Sequence, residues 1–288
     1  DAHNRKGVAV TAVAEPAAAG DRSAADYLRF YATTLREALR SHDVVHANYG
    51  LTGPFALAQP RRPVVLTLWG SEVMGAADWV ERMSKWSADR ADAVVAPSAS
   101  VADAVAAPSR VVPFPVDTDL FHPMSQADAR DAVGWDRDAT VALFPYSPDR
   151  EVKNYPLARR VIDAASTPVE LRTVDGVPYD RMPLYMNASD VVLVTSSRES
   201  GPMVVKEAAA CGVPVVATDV GFVADVLADR PDARVCDSPA TLVAGVESVL
   251  ADESTAAPPF DAPTLRTMGD RLIEVYEAAR RTADRSSR

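Results

Sequence analysis

One stretch decides the fold of this chain: residues 198–218, which read RESGPMVVKEAAACGVPVVAT. An apolar run at 191–195 precedes it and predicts a buried strand. The Gly201-Pro202 pair then predicts the start of a helix, Gly212 predicts its end, and the apolar run at 213–217 predicts the next strand. Because parallel strands need such a crossover, the stretch is typical of a βαβ unit.

Two carboxylates, Glu199 and Glu207, lie on either side of the predicted helix start at Glu-x7-Glu spacing. The free amides and the dipole of a helix N-terminus favour bound phosphate, so we expect a diphosphate there. Glu207 falls in the second turn, where it can accept hydrogen bonds from ribose hydroxyls, and Glu199 can reach the hydroxyls of a bound sugar. A βαβ unit with two solvated acids is the alternative. The residues expected around the diphosphate are Ser200, Gly201, Pro202, Met203 and Val204.

The stretch resembles the donor-binding motif of family 4 glycosyltransferases, and its wording from Glu207 to Thr218 follows that motif closely. The resemblance implies a retaining transferase of the GT-B fold, an α/β protein with two doubly wound, Rossmann-like domains that face a cleft. It implies a nucleoside-diphosphate sugar as the donor substrate, and neither a cofactor nor a metal.

Length and composition set broad limits. The chain has 288 residues, of which 48% are hydrophobic and 7% aromatic, which predicts two α/β domains. No run reaches the roughly 20 apolar residues of a membrane span, and the first six residues lack a secretory hydrophobic region, so we expect a cytoplasmic protein. Cys211 and Cys236 are too few for a disulfide framework or a metal knuckle, and we expect both to be buried small residues.

The formal net charge of −10 disfavours binding to nucleic acid and simple electrostatic docking to anionic lipid. Lysine is scarce among the 30 basic residues, and Asp outnumbers Glu about two to one, a balance typical of a salt-adapted or high-GC organism. In molar salt the Debye length falls to about 3 Å, which leaves peripheral contact at the inner face of the membrane open. The scarcity makes Lys153 and Lys206 stand out.

The first half of the chain alternates strand and helix signals, which predicts a parallel doubly wound sheet. Strands are predicted at 8–13, 43–47, 63–69, 92–96 and 110–116. One predicted helix has Leu28, Tyr31, Leu35 and Leu39 on its apolar face, a second spans about 79–91, and a third follows the capping residue Ser98.

The pattern breaks into Pro-rich and Asp-rich chain between 113 and 138, and the alternation restarts at 139–144. Further helices are predicted at 155–165, near Leu184 and at 241–250, with a strand at 169–174. We expect an N-terminal, acceptor-side domain at 1–120 and a nucleotide-binding domain at 121–262. The resemblance implies that a last helix, at 263–288, crosses back to the first domain.

The resemblance also implies a strand, a glycine-bearing loop and a long helix at the start of the first domain. Only seven residues precede the strand predicted at 8–13, so we expect this first βα unit to be missing. In the family the unit helps to shape the acceptor side, and its loss bears on acceptor chemistry more than on donor binding.

Residues 145–154, PYSPDREVKN, form a loop that leads from a predicted strand into a helix. In the resembling family this loop brings an Arg and a Lys to the donor diphosphate, where two cations offset the charge of the departing group. Lys153 matches that position, and Arg150 lies three residues before it instead of the usual five. A solvated helix start is the alternative for both.

Two first-domain loops follow buried strands at the edge where open α/β sheets bind ligands, and both resemble motifs of the family. They contribute Asn48, Trp69 and Gly70 as candidate substrate-binding residues. The family usually has His in place of Trp69, which can stack on a sugar but cannot carry a proton; a packed Trp without substrate contact is the alternative. We interpret His46, at a strand end, as a buried imidazole with satisfied hydrogen bonds.

Asp117 and Asp119 have the Asp-x-Asp spacing with which other glycosyltransferases hold a divalent metal. They lie in a segment that resembles the family's domain linker, so we interpret both acids as turning the chain and His122 as a linker residue.

Gly176 and Val177 end a strand at the ligand edge and are expected to line the base pocket. Phe222 stands where the family usually has Gly and is expected to narrow the approach to the donor. The chain contains no Gly-x-Ser-x-Gly, Walker, Gly-x-Gly-x-x-Gly or His-Glu-x-x-His sequence, which argues against a hydrolase, an NTPase, a simple dehydrogenase or a zincin.

The leading hypothesis is a metal-independent, retaining glycosyltransferase that uses Glu199, Glu207 and Lys153. It would bind UDP or GDP and act on a glycan or lipid-linked acceptor in surface polysaccharide or glycoconjugate synthesis. The alternative is a non-catalytic sugar-nucleotide-binding or scaffold subunit, which Trp69 and the missing βα unit favour. A third hypothesis, a GT-B sugar-nucleotide epimerase, is disfavoured by the Glu-x7-Glu wording.

Overall fold

The computed structural model describes residues 8–14, 23–199, 201, 203–252 and 260–286. The chain forms two compact units: the first comprises Asp1–Phe114 and Leu265–Arg288, and the second comprises Pro115–Thr264. These boundaries lie six residues before and two residues after those expected from the sequence.

The elements alternate along the chain as the sequence predicts. The strands are β1 (Val45–Ala47), β2 (Val64–Thr67), β3 (Ala93–Ala96), β4 (Ser109–Val111), β5 (Val141–Phe144), β6 (Glu170–Thr173), β7 (Val191–Val194), β8 (Val215–Thr218) and β9 (Ala233–Cys236). The helices are α1 (Ala24–Ala38), α2 (Gly53–Ala58), α3 (Asp78–Ala88), α4 (Ala99–Asp103), α5 (Gln126–Val133), α6 (Tyr155–Ala164), α7 (Met182–Asn187), α8 (Met203–Ala210), α9 (Val223–Leu227), α10 (Pro239–Ala251) and α11 (Leu265–Ser286). None of the described helices is both long enough and apolar enough to cross a bilayer.

Both sheets are purely parallel, and their strand orders differ. The first unit has the order β1-β2-β3-β4, and the second has the order β6-β5-β7-β8-β9. The central strands β2, β5 and β7 are buried along their whole length, which explains why their sequences are continuous apolar runs. In the second unit the chain turns to one side after β5 and to the other side from β7 onward, so the sheet has a topological switch point between these strands.

Helix α11 belongs to the first unit and covers its sheet. Leu272, Val275 and Ala279 pack against apolar side chains of β2 and β3. Tyr276 places its hydroxyl 2.7 Å from Nδ1 of His46, whose Nε2 lies 2.7 Å from Oγ1 of Thr67. Both ring nitrogens of His46 therefore have partners, as interpreted from the sequence, although the side chain is half-buried and not fully buried.

The prediction of a strand at 8–13 is wrong. Residues 8–14 form no regular structure; instead Thr11, Val13 and Ala14 line a cavity of about 510 Å³ together with residues of β1. An alternating apolar run becomes a strand only where a neighbouring edge takes up its hydrogen bonds, and these residues do not reach one.

Two further expectations need correction. Helix α1 forms, but Leu28 and Leu39 are exposed, and the helix buries Phe30, whose ring meets that of Phe55 edge-on at 5.2 Å. The aromatic contact therefore sets the rotation of the helix. The Pro-rich and Asp-rich segment at 113–138, for which the sequence indicated no helix, contains α5, which begins after the capping residue Ser125.

Candidate functional site

The switch point of the second sheet positions the candidate site. The loops after β5 and β7 leave the carboxyl ends of adjacent strands in opposite directions, and this divergence opens a crevice where α/β proteins bind ligands. Thr195, at the end of β7, donates its hydroxyl to the carbonyls of Lys153 and Asn154, both at 3.1 Å. Ser197 N donates to the Val152 carbonyl at 2.9 Å. The two loops are thus fixed to each other.

Lys153 and Glu199 form a largely buried ion pair in this crevice, with side chains that are 7% and 11% exposed. Oε1 of Glu199 also accepts a hydrogen bond of 2.7 Å from Oγ of Ser196. The ammonium of Lys153 lies 3.9 Å from the centre of the Tyr146 ring, which adds a cation–π contact. The structure therefore brings together the two residues that the sequence assigned to the phosphate and to the sugar.

Solvent is largely excluded from the surroundings of this pair. Burial lowers the pKa of Lys153, and the hydrogen bond and charge of Glu199 partly oppose that shift. Burial raises the pKa of Tyr146 well above its ordinary value, and the charge of Glu199 adds to the rise. The Tyr146 hydroxyl is buried without a hydrogen-bond partner in the described part of the chain. A charge held in such a place interacts strongly with any anion that enters.

Arg150 lies at the edge of this cluster, where its charge acts to lower the pKa of both Lys153 and Tyr146. It is exposed, one residue before the 3₁₀ turn Glu151–Lys153, while Lys153 at the end of that turn is buried. The 3₁₀ turn therefore buries the side chain of Lys153 and leaves that of Arg150 exposed.

Glu207 lies in the second turn of α8, as predicted, and it is buried. Its Oε1 accepts a hydrogen bond of 2.6 Å from the hydroxyl of Tyr179, a residue that the sequence analysis missed. Burial raises the pKa of Glu207, and the bond from Tyr179 partly offsets the rise. The Tyr179 ring packs on Phe121 with ring centres 5.3 Å apart. Tyr179 thus already donates a hydrogen bond to one oxygen of the carboxylate that was expected to bind ribose.

The loop before Tyr179 contains the two residues expected at the base pocket. Gly176 is exposed, has a left-handed φ of 69°, and has no atom within 4 Å of the position that a Cβ would take. Val177 is half-buried and packs against the core of the unit. Of the five residues expected around the diphosphate, Ser200 and Pro202 lie outside the described residues, and Gly201 lies just before α8, which begins at Met203 and contains the buried Val204.

Phe222 does not narrow the approach to the donor, contrary to expectation. It is fully buried, and a Cβ added to Gly201 would lie 2.6 Å from its ring, so the phenylalanine packs directly on the loop before α8. Gly221 supports the same loop: its φ is 61°, and a Cβ there would lie 2.4 Å from the carbonyl oxygen of Glu199. The loop that contains Glu199 and Gly201 thus rests on the β8–α9 loop.

Lys206 is a third buried charge in this region. Its ammonium lies 5.0 Å from the centre of the Phe222 ring, and burial lowers its pKa to about 8. The scarcity of lysine singled it out in the sequence, but its place one residue before Glu207 gave no sign of its environment.

In the first unit, the carboxyl ends of β1 and β2 bring Asn48, Trp69 and Gly70 together, as predicted. Nε1 of Trp69 donates to the Asn48 carbonyl at 3.1 Å, and Gly70 has a positive φ of 98°. The indole is partly exposed and packs on Phe114, with ring centres 4.6 Å apart. These groups offer an aromatic surface and no side-chain charge.

Glu72 supports these loops, and the sequence analysis did not single it out. It is fully buried, and its Oε1 accepts backbone hydrogen bonds from Trp69 at 2.9 Å and from Gly50 at 3.2 Å. A carboxylate in this position ties the loop after β1 to the loop after β2.

Asp117 turns the chain, as interpreted: its Oδ1 accepts from the backbone N–H of Asp119 at 3.1 Å and of Leu120 at 3.3 Å. Among the described residues, no group of three or more His, Cys, Asp or Glu side chains is arranged to hold a metal ion. Cys211 and Cys236 are both buried, as expected.

Comparison with known proteins links both units to one class of enzyme. Residues 2–120 match the family "Glycosyltransferase Family 4", and residues 158–259 match "Glycosyl transferases group 1". A D-inositol 3-phosphate glycosyltransferase from Catenulispora acidiphila is 31% identical over 55% of this chain and 44% of its own length. A D-inositol 3-phosphate glycosyltransferase from Acidothermus cellulolyticus is 27% identical over 72% of this chain and 60% of its own length. The chain thus spans about half the length of these curated relatives.

Among solved structures, HepE from Anabaena in complex with UDP is 16% identical, covers 90% of this chain and 85% of its own, and has a TM-score of 0.66. The same protein has been solved with UDP-glucose. At this identity the likeness concerns the fold, and it confirms the predicted α/β GT-B architecture of two doubly wound, Rossmann-like units.

Proposed function

The chain belongs to the family 4 glycosyltransferases, and on that premise we propose that it transfers a sugar from a nucleoside-diphosphate sugar to a hydroxyl of a glycan or lipid-linked acceptor. We propose that the configuration at the sugar is retained and that no divalent metal is needed. The observation that carries the proposal is the buried Lys153–Glu199 pair at the switch point of the second sheet.

The pair supplies two opposite charges for two parts of one donor. Lys153 can turn its ammonium to the diphosphate, and Glu199 can then accept hydrogen bonds from sugar hydroxyls. The hydrogen bond from Thr195 to the Lys153 carbonyl fixes the backbone of this residue beside the Tyr146 ring, so only the ammonium has to turn from Glu199 toward the diphosphate. A fixed cation in a dry crevice is the feature that stabilises a departing diphosphate.

The proposed reaction exchanges one bond for another at the anomeric carbon. The bond from that carbon to the donor phosphate oxygen breaks, and a bond to the acceptor oxygen forms on the same face of the sugar. The acceptor proton passes to the departing phosphate oxygen, and the ammonium of Lys153 offsets the negative charge that remains there. Glu199 orients the sugar and forms no covalent bond to it.

Glu207 and Tyr179 are the proposed nucleoside end of the site. Vicinal ribose hydroxyls would replace or join the Tyr179 hydroxyl as donors to the buried carboxylate. The open backbone at Gly176 leaves room for a base beside this pair. UDP is the proposed nucleotide, and the UDP complexes of HepE support that choice by analogy of fold.

Calorimetry with UDP and GDP, with and without EDTA, tests the donor half of this proposal. We expect EDTA to leave binding unchanged and Glu207→Gln to weaken UDP binding by about 1 to 3 kcal/mol through the loss of a charged acceptor. Glu170→Gln, an exposed acid on β6, is the matched control and should bind as the unmodified chain does. A strict need for magnesium would contradict the proposal.

Release of UDP from a panel of UDP-sugars, with and without glycan or lipid-linked acceptors, tests the reaction. Turnover with retained configuration supports transfer. UDP binding without turnover on any donor would favour the scaffold function instead.

A further inference from the structure

The hydroxyl of Tyr146 is a buried polar group that the described residues leave unsatisfied. Tyr146 follows β5 in the loop that leads to Lys153, and the residue as a whole is half-buried. Its hydroxyl oxygen is nevertheless closed to solvent and has no hydrogen-bond partner in the part of the chain that the structure describes. A buried donor without a partner costs free energy, so each one that a fold retains calls for an explanation.

Ring contacts hold Tyr146 in place without involving its hydroxyl. The ring packs edge-on against that of Phe144, with ring centres 5.4 Å apart, and the ring of Tyr155 packs on Phe144 at the same distance. The ammonium of Lys153 lies 3.9 Å from the centre of the Tyr146 ring. A phenylalanine at this position would make the same contacts. Packing therefore explains the ring and leaves the hydroxyl unexplained.

The charges around the hydroxyl relate it to both acids of the candidate site. Burial raises the pKa of Tyr146 well above its ordinary value, the charges of Glu199 and Glu207 add to the rise, and the charge of Arg150 opposes it. Because such interactions weaken with distance, the hydroxyl is close enough to both carboxylates to be influenced by each. Neither carboxylate accepts a hydrogen bond from it in the described structure.

We propose that the Tyr146 hydroxyl donates a hydrogen bond to an oxygen of the donor diphosphate. The inference rests on the proposed function, in which Glu199 binds the sugar and Glu207 binds the ribose, so that the diphosphate spans the space between the two acids. A donor that is near both acids and bonded to neither is placed to serve that space. The Lys153 side chain lies on the Tyr146 ring, and its turn toward the diphosphate would open the hydroxyl to the ligand.

The chemistry of the phenol suits an anionic acceptor. Because its pKa is raised, the Tyr146 hydroxyl keeps its proton at neutral and moderately alkaline pH and stays a hydrogen-bond donor. A hydrogen bond to a charged oxygen is stronger than one between neutral groups, and a neutral donor adds no charge that must be buried in the free protein. The site would thus hold the diphosphate with one cation, Lys153, and one neutral donor.

Calorimetry of the full 288-residue chain with UDP and with uridine tests the inference. Tyr146→Phe keeps the ring contacts and removes only the hydroxyl. It should weaken UDP binding about 10- to 100-fold and leave uridine binding unchanged, because uridine has no phosphate. The matched control is Tyr155→Phe, which removes the hydroxyl of the other ring packed on Phe144 and should bind UDP as the unmodified chain does.

Two further measurements separate contact with the ligand from a structural role. Urea unfolding without ligand should show that Tyr146→Phe is at least as stable as the unmodified chain, since the variant loses a buried donor that had no partner. NMR of protein labelled at the tyrosine Cζ should show one signal that is missing in Tyr146→Phe. That signal should move when UDP is added and stay in place when uridine is added.

Three results would overturn the inference. Equal affinity of Tyr146→Phe and the unmodified chain for UDP would show that the hydroxyl does not contact the diphosphate. A matching loss of affinity for uridine would assign the effect to the nucleoside end of the site. Lower stability of the variant without ligand would show that the hydroxyl is already bonded in the free protein. Absence of UDP binding to the unmodified chain would instead contradict the proposed function, and this inference with it, so the two failures are distinguishable.

Discussion

The two units place charge differently at the carboxyl ends of their strands. In the second unit, Lys153 bonds to Glu199, and Glu207 bonds to the Tyr179 hydroxyl, so buried charges meet other side chains. In the first unit, the buried Glu72 meets backbone N–H groups of Gly50 and Trp69, and the surface above it consists of Trp69 and Phe114.

This difference separates hydrogen-bond partners that a ligand can replace from partners that it cannot replace. A side-chain partner can turn away when a ligand supplies a better one, whereas a backbone amide stays with its loop. Under the proposed function, these exchangeable charges of the second unit would serve a diphosphate and a sugar. Burial lowers the pKa of Lys153 and of Lys206 and raises the pKa of Glu207, so it favours the neutral form of each group. The first unit uses its buried acid to shape an uncharged surface.

The largest expected effect concerns the exchangeable cation. Lys153→Met should lower turnover of a UDP-sugar by about 100- to 1,000-fold, because the charge of the departing diphosphate loses its fixed counterion. Lys85→Met removes a surface lysine from the first unit and is the control. UDP release under saturating donor measures both, and equal rates for the two variants would remove Lys153 from the mechanism.

Lys206 tests whether a buried charge lowers the free energy of unfolding of the second unit. Its ordinary pKa is 10.5 and its pKa in the fold is about 8, so the unfolded chain holds the proton more tightly. Stability should therefore rise as the pH increases from about 8 to 10.5, and below pH 8 the full cost applies.

Lys206→Met removes a charge whose burial costs up to about 3 kcal/mol and also removes the contacts of its ammonium, including the one with the Phe222 ring, so the gain in stability at pH 7 should be smaller than that cost. The advantage should shrink toward pH 10.5. Urea unfolding of the variant and of the unmodified chain across this pH range measures the difference. A variant less stable than the unmodified chain at pH 7 would show that Lys206 contributes more through its contacts than burial costs it.

Glu72 tests the structural side of the comparison. Glu72→Gln should lower the free energy of unfolding by about 2 kcal/mol, since two backbone bonds lose a charged acceptor, and should leave UDP affinity unchanged. Glu81→Gln, on the same unit and paired with Lys85 at the surface, should cost less than about 1 kcal/mol. Loss of UDP binding in the Glu72 variant would mean that the two units do not divide their roles in this way.

Tyr179→Phe should have the smallest of these effects, and it should strengthen UDP binding. Without the hydroxyl, ribose no longer competes with Tyr179 for Glu207, so UDP should bind about fivefold more tightly. Calorimetry at neutral pH measures the change. Weaker binding would show that the Tyr179 hydroxyl itself contacts the nucleotide or holds Glu207 in place.

The sequence predicted most of the fold because parallel strands buried on both faces are continuous apolar runs. β2, β5 and β7 are of this kind. Residues 8–13 have a similar composition without forming a strand, because a strand depends on a neighbouring edge that no local pattern reveals. The buried face of helix α1 was predicted only in part: Tyr31 and Leu35 are half-buried, but Phe30 was missed because its contact with Phe55 joins residues 25 apart in sequence.

The candidate site was predicted residue by residue but not as an arrangement. Glu199 and Lys153 were expected to act on separate parts of the donor, and their pairing across 46 residues follows only from the switch point of the sheet. Tyr146 and Phe222 contribute through ring contacts and Tyr179 through its hydroxyl, and neither kind of contact imposes a spacing on the sequence. Local motifs identify groups that bind ligands; the partners of those groups come from tertiary structure.

The glycines in and around the loop that contains Glu199 have a consequence for protein engineering. Any side chain at Gly201 collides with Phe222, and any side chain at Gly221 collides with the Glu199 backbone, so libraries randomised at either position will consist mostly of misfolded or inactive members. Gly176 has the same left-handed backbone as Gly221 but opens into free space, and asparagine or aspartate tolerates that backbone. Selection for a new nucleotide base should therefore enrich Asn and Asp at position 176 while both other glycines persist.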